Sequence, residues 1–301
     1  MIKLKAVIKL MRVHQWAKNL FIFLPAFFSL KITQLPILAE SIWAFIGFSL
    51  LASGIYVFND LRDIEVDRAH PKKRRRPLAS GLINKKEAGL MISLLFTAGV
   101  AVMYFMTPGI APVGLCICYV IMNILYSIRL KHMAIVDILI ISTGFVLRII
   151  VGGAVTDTPL SQWIVLMTFL LALFLALAKR RDDILIFMRT GSQTRTTMYG
   201  YNLEFINAAF TIMAAVVIVC YIMYTTSPEI VQRAGHNLYF TTFFVIVGII
   251  RYLQITLVYN KGDNPTTILL HDRFIQIALL GWIVTFVLIL YTKTLGYDFF
   301  S

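Results

Sequence analysis

Four side chains that carry oxygen ligands lie in one polar stretch after a long apolar run: Asn59, Asp60, Asp63 and Asp67. The three aspartates are spaced i, i+3 and i+7, so a helix that continues past the apolar run would place them on one face. Carboxylates on one face repel one another unless a cation lies between them. Mg²⁺ prefers oxygen ligands and typically binds one or two carboxylates together with substrate phosphate oxygens. The spacing therefore predicts a divalent-cation site.

A run of basic residues from Lys72 to Arg76 follows this stretch and is bracketed by Pro71 and Pro77. Lysine and arginine are good phosphate ligands. Acids beside such a run predict a metal–diphosphate site at a membrane surface. The alternative is a solvated loop whose acids neutralise its bases and whose bases mark the cytoplasmic side.

Charged residues inside apolar runs are a second signal, because charge there is costly and usually functional or paired. Arg148 lies in the middle of one run, and Asp137 precedes it by about three helical turns, so both can face a bundle interior. Arg148 either pairs with a buried acid or lines a cavity that holds phosphate. Gly144, Gly152 and Gly153 would allow another helix to approach closely.

A second charged cluster, Lys179-Arg180-Arg181-Asp182-Asp183, ends another apolar run. Lys179 and Asp183 are four residues apart and therefore share a helix face. These charges either extend to the membrane interface along their apolar stems or bracket the same metal–diphosphate from a second side.

The elements that must position these residues are membrane helices, since the 301-residue chain is 59% hydrophobic. We expect an all-α, polytopic membrane protein: a bundle of about nine transmembrane helices around a central cavity open to the cytoplasmic side, with residues 1–301 forming one domain. The predicted spans are 19–36, 41–60, 87–107, 110–129, 134–155, 160–180, 206–226, 238–259 and 273–293.

The net charge of +13 does not indicate a nucleic-acid partner, because most Lys and Arg residues fall in short segments between apolar runs. That distribution is typical of the positive-inside bias, and it places the N-terminus and the polar clusters in the cytoplasm and the C-terminus outside. Residues 1–18 form a predicted amphipathic helix on the membrane face. Residues 61–86 and 179–205 are predicted cytoplasmic loops.

The acidic stretch resembles the first aspartate-rich motif of the UbiA superfamily of intramembrane prenyltransferases. The shared residues are Asn59-Asp60-x-x-Asp63-x-x-x-Asp67 and, after them, Arg76-Pro77-Leu78-Ala79-Ser80-Gly81. Typical members carry a second motif, Asp-x-x-x-Asp, where this chain has Lys179-Arg180-x-x-Asp183. This departure resembles the branch of decaprenyl-phosphate phosphoribosyltransferases, as do His70-Pro71-x-Lys73-x-x-Arg76-Pro77, Gln15-Trp16-x-Lys18-Asn19 and Tyr126-Ser127-x-x-Leu130-Lys131.

The resemblance implies a Mg²⁺-dependent glycosyltransferase in the membrane. It would move 5-phosphoribose from 5-phosphoribosyl 1-diphosphate to a polyprenyl phosphate, release diphosphate, and make a precursor of lipid-linked arabinose for cell-wall biosynthesis. The alternative is a UbiA-type enzyme that moves a prenyl group from a prenyl diphosphate to an aromatic acceptor. A transporter or channel is disfavoured because the polar residues cluster at one face. The oligomeric state stays open.

The resemblance also implies roles for single residues. Asp60, Asp63 and Asp67 would be the catalytic carboxylates and, with Asn59, the Mg²⁺ ligands. The donor diphosphate and phosphate would be bound by Lys73, Arg76, Lys179, Arg180 and Asp183. From charge and location, the acceptor lipid phosphate would be bound by Lys18, Asn19, Lys131 and Arg148. Supporting positions would be His70, Tyr126 and Asp137.

Overall fold

The computed structural model describes residues 2–69, 73–190, 200–260 and 265–294. Within these residues the regular structure is entirely helical, which suits a chain whose backbone groups must be satisfied inside lipid. The α-helices are α1 (Ile2–Met11), α2 (Leu24–Phe28), α3 (Leu35–Arg62), α4 (Ile64–Ala69), α5 (Lys85–Met106), α6 (Ala111–Ile128), α7 (Val136–Val155), α8 (Gln162–Thr190), α9 (Leu203–Thr226), α10 (Pro228–Ala234), α11 (Thr242–Leu257), α12 (Pro265–His271) and α13 (Arg273–Thr294). Short 3₁₀ helices cover Val13–Phe23, Lys31–Thr33, Lys73–Arg75, Leu130–His132 and His236–Thr241.

Eight of the helical segments in the described part of the chain are long and apolar enough to cross a membrane. They are α3, α5, α6, α7, α8, α9, α13 and the segment His236–Leu257 that ends with α11. These segments correspond to eight of the nine predicted spans. The prediction of an all-α, multi-pass membrane protein is therefore confirmed.

The first predicted span, residues 19–36, is not one continuous α-helix. It consists of the second half of the 3₁₀ helix Val13–Phe23, then α2, then the 3₁₀ turn Lys31–Thr33. A 3₁₀ helix rises about 2.0 Å per residue against about 1.5 Å in an α-helix, so residues 13–28 extend roughly 30 Å, close to the thickness of a bilayer core. A count of long α-helices therefore does not fix the number of crossings.

The 3₁₀ form of Val13–Phe23 has a physical cause in its buried contacts. Residues three apart share a face of a 3₁₀ helix, and Trp16, Asn19 and Ile22 have that spacing. Trp16 Nε1 donates to Ser53 Oγ at 3.0 Å, and Asn19 Nδ2 donates to Ser49 Oγ at 2.8 Å. Two hydrogen bonds to serines one turn apart on α3 therefore hold the segment in this register.

The chain divides into two compact units, Met1–Val165 and Leu166–Ser301. The expectation of a single domain stays a prediction. In the first unit, α3 packs against α5, α6 and α7. The core of this unit includes Phe48, Leu51, Met103, Tyr119 and Val151.

In the second unit, α11 packs against α9 and α13. The rings of Phe174 and Phe210 stack with their centroids 4.6 Å apart. Arg181 on α8 ties three elements together, because its guanidinium donates to Asn207 Oδ1, to the carbonyl oxygen of Thr256 and to Asn260 Oδ1. A buried charge with several acceptors stiffens the packing of α8 against α9 and α11.

Three predicted segments differ in detail from the structure. The amphipathic helix ends at Met11 rather than at residue 18, because Arg12 adopts a left-handed conformation with φ of 51°. The predicted loop 61–86 contains the end of α3, all of α4 and a 3₁₀ turn. Of the predicted loop 179–205, residues 179–190 belong to α8 and 191–199 lie outside the described residues.

Candidate active site

The acidic stretch lies where α3 ends. Asp63 is the C-terminal cap of α3, with φ of −96° and ψ of 9°, and its N–H donates to the carbonyl oxygen of Asn59 at 3.0 Å. Asp67 belongs to the next helix, α4. The expectation that one helix carries all three aspartates on a single face is therefore wrong, because the helix breaks at Asp63.

Arg76 joins two of the three aspartates across this break. Its Nη1 lies 3.0 Å from Asp60 Oδ1 and 2.7 Å from Asp67 Oδ2. Both aspartates are only 3% exposed, so each needs a compensating charge. Asp60 Oδ1 accepts a second hydrogen bond from Arg12 Nη2 at 2.5 Å. The basic run therefore supplies a direct counter-ion to the acids.

Asp63 has a different partner. Lys131, in the 3₁₀ turn after α6, places its Nζ 2.6 Å from Asp63 Oδ1. The role of Lys131 at the acceptor phosphate stays a prediction, and the structure places its ammonium group beside the acids. We refer to Asp60, Asp63 and Asp67 with Arg12, Arg76 and Lys131 as the acidic cluster. Its formal charges balance.

The donor set of the acidic cluster fits Mg²⁺. Every candidate ligand is oxygen, and Asn59 Oδ1 is buried without a hydrogen-bond partner among the described residues. In that part of the chain no three His, Cys, Asp or Glu side chains converge as a ready-made metal cage. A Mg²⁺ site built from one or two carboxylates and substrate phosphate oxygens does not require such a cage.

A second polar group lies deeper, around Arg148 on α7. Arg148 Nε donates to Asn19 Oδ1 at 2.8 Å, Nη1 to the carbonyl oxygen of Gly144 at 2.6 Å, and Nη2 to the Tyr119 hydroxyl at 3.0 Å. The guanidinium also lies over the rings of Phe48 and Tyr119, about 5 Å from each centroid. We call Asn19, Ser49, Tyr119 and Arg148 the Arg148 cluster.

The partners of Arg148 bear on the first interpretation of this residue, a pair with a buried acid. Arg148 is 5% exposed, and among the described residues no carboxylate lies within ion-pair distance of it. Asp137 is fully buried on the same helix but is not its partner. The guanidinium is therefore a buried cation held by neutral groups, and it has more N–H donors than these three bonds use.

The second charged cluster is part of the last turns of α8. Arg180 Nη1 lies 2.5 Å from Asp183 Oδ2, and Arg180 is almost fully buried. The two residues are three apart on one helix, which is the spacing of neighbouring side chains. The cluster thus contains a local ion pair in addition to the hydrogen bonds that Arg181 donates.

The remaining predicted residues are placed as follows. Lys18 and Lys73 are half-buried in the 3₁₀ helices Val13–Phe23 and Lys73–Arg75. Tyr126 is half-buried near the end of α6, and Asp137 lies in the first turn of α7. His70 lies outside the described residues.

Sequence reasoning missed Arg12, Tyr119 and Ser49 as members of these clusters. Arg12 contacts Asp60 although the two are 48 residues apart in sequence, and no local spacing of residues predicts such a contact. Tyr119 and Ser49 resemble ordinary residues of apolar helices. The available signal was the three-residue spacing of Trp16, Asn19 and Ile22, which indicates that this segment presents one face to its neighbours.

Sequence similarity to known proteins covers nearly the whole of this chain. The decaprenyl-phosphate phosphoribosyltransferase of Mycolicibacterium smegmatis is 34% identical over 290 residues, which cover 93% of this chain and 90% of that protein. The protein of the same name from Mycobacterium tuberculosis is 31% identical over 285 residues, 93% and 92% of the two chains.

A solved structure shares the fold. A UbiA homolog from Archaeoglobus fulgidus, bound to DMAPP and Mg²⁺, matches with a TM-score of 0.68 at 19% identity, covering 95% of this chain and 99% of that one. The model of the UbiA prenyltransferase family matches residues 19–277, which include Asn59, the three aspartates and Arg148. The chain therefore belongs to the UbiA prenyltransferase family.

Proposed function

We propose that this protein transfers 5-phosphoribose from 5-phosphoribosyl 1-diphosphate to a polyprenyl phosphate and releases diphosphate. The observation that carries the proposal is the nearly full-length similarity to the two phosphoribosyltransferases, at 34% and 31% identity. The product would be a lipid-linked precursor of arabinose for the cell wall. The enzyme is a transferase of the membrane, and its acceptor lipid would enter from the bilayer.

The acidic cluster is the proposed site of the donor diphosphate. Asn59, Asp60, Asp63 and Asp67 would hold Mg²⁺, which supplies charge neutralisation to the leaving diphosphate when it is bound. Arg76 already contacts two of these aspartates and would donate to diphosphate oxygens next to the metal. Lys73, one helical turn before Arg76, adds positive charge on the same side. Both basic residues would stabilise the charge that develops on the leaving group.

The Arg148 cluster is the proposed site of the acceptor phosphate. A guanidinium that is buried and, in the part of the chain that the structure describes, faces no carboxylate favours an anion, since an unpaired charge at low dielectric is costly. Asn19 and Tyr119 hold the guanidinium in place through hydrogen bonds of 2.8 and 3.0 Å. Lys18, adjacent to Asn19 in sequence, would add a second cation. The lipid phosphate would thereby be fixed before the reaction.

The chemistry then needs little acid or base assistance. As the bond between ribose C1 and the diphosphate oxygen stretches, the diphosphate leaves with the bonding pair and C1 becomes oxocarbenium-like. An oxygen of the lipid phosphate attacks the opposite face of C1 and forms the new C–O bond. That oxygen is already anionic, so no strong general base is required. Positioning of the two substrates and compensation of their charges would supply most of the rate.

Lys179, Arg180 and Asp183 stay predicted ligands of the donor on the sequence resemblance alone. Lys179, Arg180 and Asp183 replace the second aspartate-rich motif of typical family members. A basic pair in that place suits the extra 5-phosphate of a phosphoribosyl donor, which a prenyl diphosphate lacks. His70, Tyr126 and Asp137 would support these sites. We place the N-terminus and both charged clusters in the cytoplasm, where a water-soluble donor is found.

A label-transfer assay tests this proposal. Purified protein in detergent is incubated with Mg²⁺ and radiolabelled 5-phosphoribosyl 1-diphosphate, with and without a polyprenyl phosphate. We expect label to enter the organic phase only when the lipid is present, and EDTA to abolish the transfer. An active, folded preparation that transfers no label, but prenylates an aromatic acceptor from a prenyl diphosphate, would replace the proposed function with the alternative one.

A further inference from the structure

Arg12 stands apart from the other basic residues of the acidic cluster because it comes from a distant element. It lies between α1 and the 3₁₀ helix Val13–Phe23, and its φ of 51° turns the chain there. Its Nη2 lies 2.5 Å from Asp60 Oδ1. Its guanidinium also lies 5.1 Å from the ring centroid of Tyr56, one turn before Asp60 on α3.

The contact uses an oxygen that a metal ion would need. Asp60 Oδ1 accepts hydrogen bonds from both Arg12 and Arg76, so this atom is occupied by two cationic donors. Asn59, the adjacent residue, has a buried Oδ1 without a partner in the described part of the chain. A divalent cation that bound Asp60 through Oδ1 would compete with these two guanidinium groups for that oxygen.

Arg12 is the group that can be displaced with least loss. Arg76 bridges Asp60 and Asp67, so it stays paired with Asp67 if it leaves Asp60. Arg12 has Asp60 as its only ion-pair partner among the described residues, and about a quarter of its side chain is exposed. Once metal neutralises Asp60, Arg12 becomes a cation without an acid partner beside a site that takes an anion.

We propose that Arg12 is an exchangeable counter-ion. In the free protein it pairs with Asp60 and competes with the metal, and on binding of the metal–diphosphate it moves from Asp60 to the diphosphate oxygens. This inference rests on the proposed function only in placing a diphosphate at the acidic cluster. Arg12 would thus contact the diphosphate itself and make metal binding and diphosphate binding depend on each other.

The exchange also has a consequence for the second substrate. Asn19, which bonds Arg148, lies in the 3₁₀ helix that begins directly after Arg12. Movement of Arg12 onto the diphosphate therefore acts at the start of the segment that carries the acceptor residues. The geometry links the donor site to the Arg148 cluster through one short helix.

Equilibrium binding to purified full-length protein tests the exchange, using Mg²⁺ alone and then inorganic pyrophosphate with saturating Mg²⁺. We expect Arg12→Ala to bind Mg²⁺ alone more tightly and Mg²⁺–pyrophosphate more weakly, each by roughly tenfold, the effect of one charge-assisted hydrogen bond. Lys5→Ala removes an exposed positive charge from the same N-terminal region and should change neither value. The opposite signs of the two changes are the signature, because a purely structural role would not produce them.

Arg12→Lys keeps the charge but loses the two-pronged geometry. It should bind Mg²⁺ alone about as the unmodified protein does and bind pyrophosphate more weakly, which keeps the test decisive if Arg12→Ala does not fold. The proposal is overturned if Arg12→Ala weakens Mg²⁺ binding, or if neither value differs from that of Lys5→Ala. Pyrophosphate is released from either class of donor, so failure of phosphoribosyl transfer would leave this result intact.

Discussion

The acidic cluster and the Arg148 cluster lie in the same unit and treat charge in opposite ways. In the acidic cluster three carboxylates are each paired with a cation at 2.5 to 3.0 Å. In the Arg148 cluster a single cation is held by an amide, a hydroxyl and a backbone carbonyl. The first arrangement can exchange its counter-ions for a metal and a diphosphate, whereas the second has a net charge that an anion would balance.

The difference teaches how a two-substrate site can separate two phosphorylated ligands. Both proposed substrates are anions, so a uniformly basic cavity would not distinguish them. A metal site selects the diphosphate, because Mg²⁺ prefers phosphate oxygens beside carboxylates. In the proposed assignment, the buried guanidinium would select a compact anion.

The largest effect is expected from Asp60→Asn, which removes the charge of a buried aspartate that accepts hydrogen bonds from both Arg12 and Arg76. A lost metal interaction costs several kcal/mol of transition-state stabilisation, so kcat/KM should fall by on the order of 1,000-fold. The measurement is the initial rate of label transfer at saturating lipid. Glu65→Gln is the matched control, because Glu65 is exposed on α4 and its only ion-pair partner among the described residues is Arg68. Equal losses in both variants would contradict a specific role for Asp60.

The second-largest effect is expected from Asn19→Asp, which puts a carboxylate beside Arg148. The guanidinium would then be neutralised internally, and the KM for the polyprenyl phosphate should rise about 10- to 100-fold. The KM for the donor should stay within about twofold, a margin smaller than one weak hydrogen bond. Asn202→Asp, at the N-cap of α9, is the control for the same chemical change. An unchanged acceptor KM would remove Arg148 from the acceptor site.

Gly152→Ala tests the packing that holds the Arg148 cluster together. A Cβ at Gly152 would collide with the backbone carbonyl of Ile22, three residues after Asn19. Forced displacement in a packed interior costs about 1 to 3 kcal/mol, so the melting temperature in detergent should fall. Gly114→Ala on α6 has no atom within 4 Å of the new Cβ and should leave the melting temperature nearly unchanged. A melt of Gly152→Ala that matches that of Gly114→Ala would show that the contact with Ile22 is not tight.

The smallest effect is expected at the ion pair between Arg251 and Asp272, which lies outside both clusters. Asp272 accepts hydrogen bonds from Arg251 at 2.8 Å and from the N–H of Ile275, and the bond to Arg251 is the main cause that lowers its pKa. Asp272→Ala should cost about 1 kcal/mol through loss of the helix cap.

The pH dependence of this pair has a definite sign. Because the pKa of Asp272 is lowered on folding, the ionised side chain stabilises the folded protein at pH values above the usual carboxyl pKa. This stabilisation is lost as the pH falls through the pKa of the folded state. The difference in melting temperature between the unmodified protein and Asp272→Asn should therefore shrink below about pH 4. A difference that grows in acid would contradict this origin.

Much of this molecule could be predicted from local sequence. Eight spans and the close approach at Gly152 follow from apolar length and small side chains. The family follows from the motif that begins at Asn59. These features depend on neighbours along the chain or on composition.

The parts that could not be predicted depend on contacts between distant residues. The break of α3 at Asp63, the left-handed turn at Arg12 and the pairing of Lys131 with Asp63 are set by tertiary packing. The 3₁₀ form of Val13–Phe23 follows from hydrogen bonds to serines on α3 that local propensity does not reveal. Sequence therefore indicated which residues matter, while the structure was needed to group them.

The most direct test of two separate substrate sites is a crossed binding measurement. Equilibrium affinities of 5-phosphoribosyl 1-diphosphate with Mg²⁺, and of a polyprenyl phosphate alone, are measured for Asp60→Asn and for Asn19→Asp. We predict that Asp60→Asn loses the donor and keeps the lipid, and that Asn19→Asp loses the lipid and keeps the donor. Loss of the same substrate by both variants would contradict the assignment of the acidic cluster to the donor and of the Arg148 cluster to the acceptor.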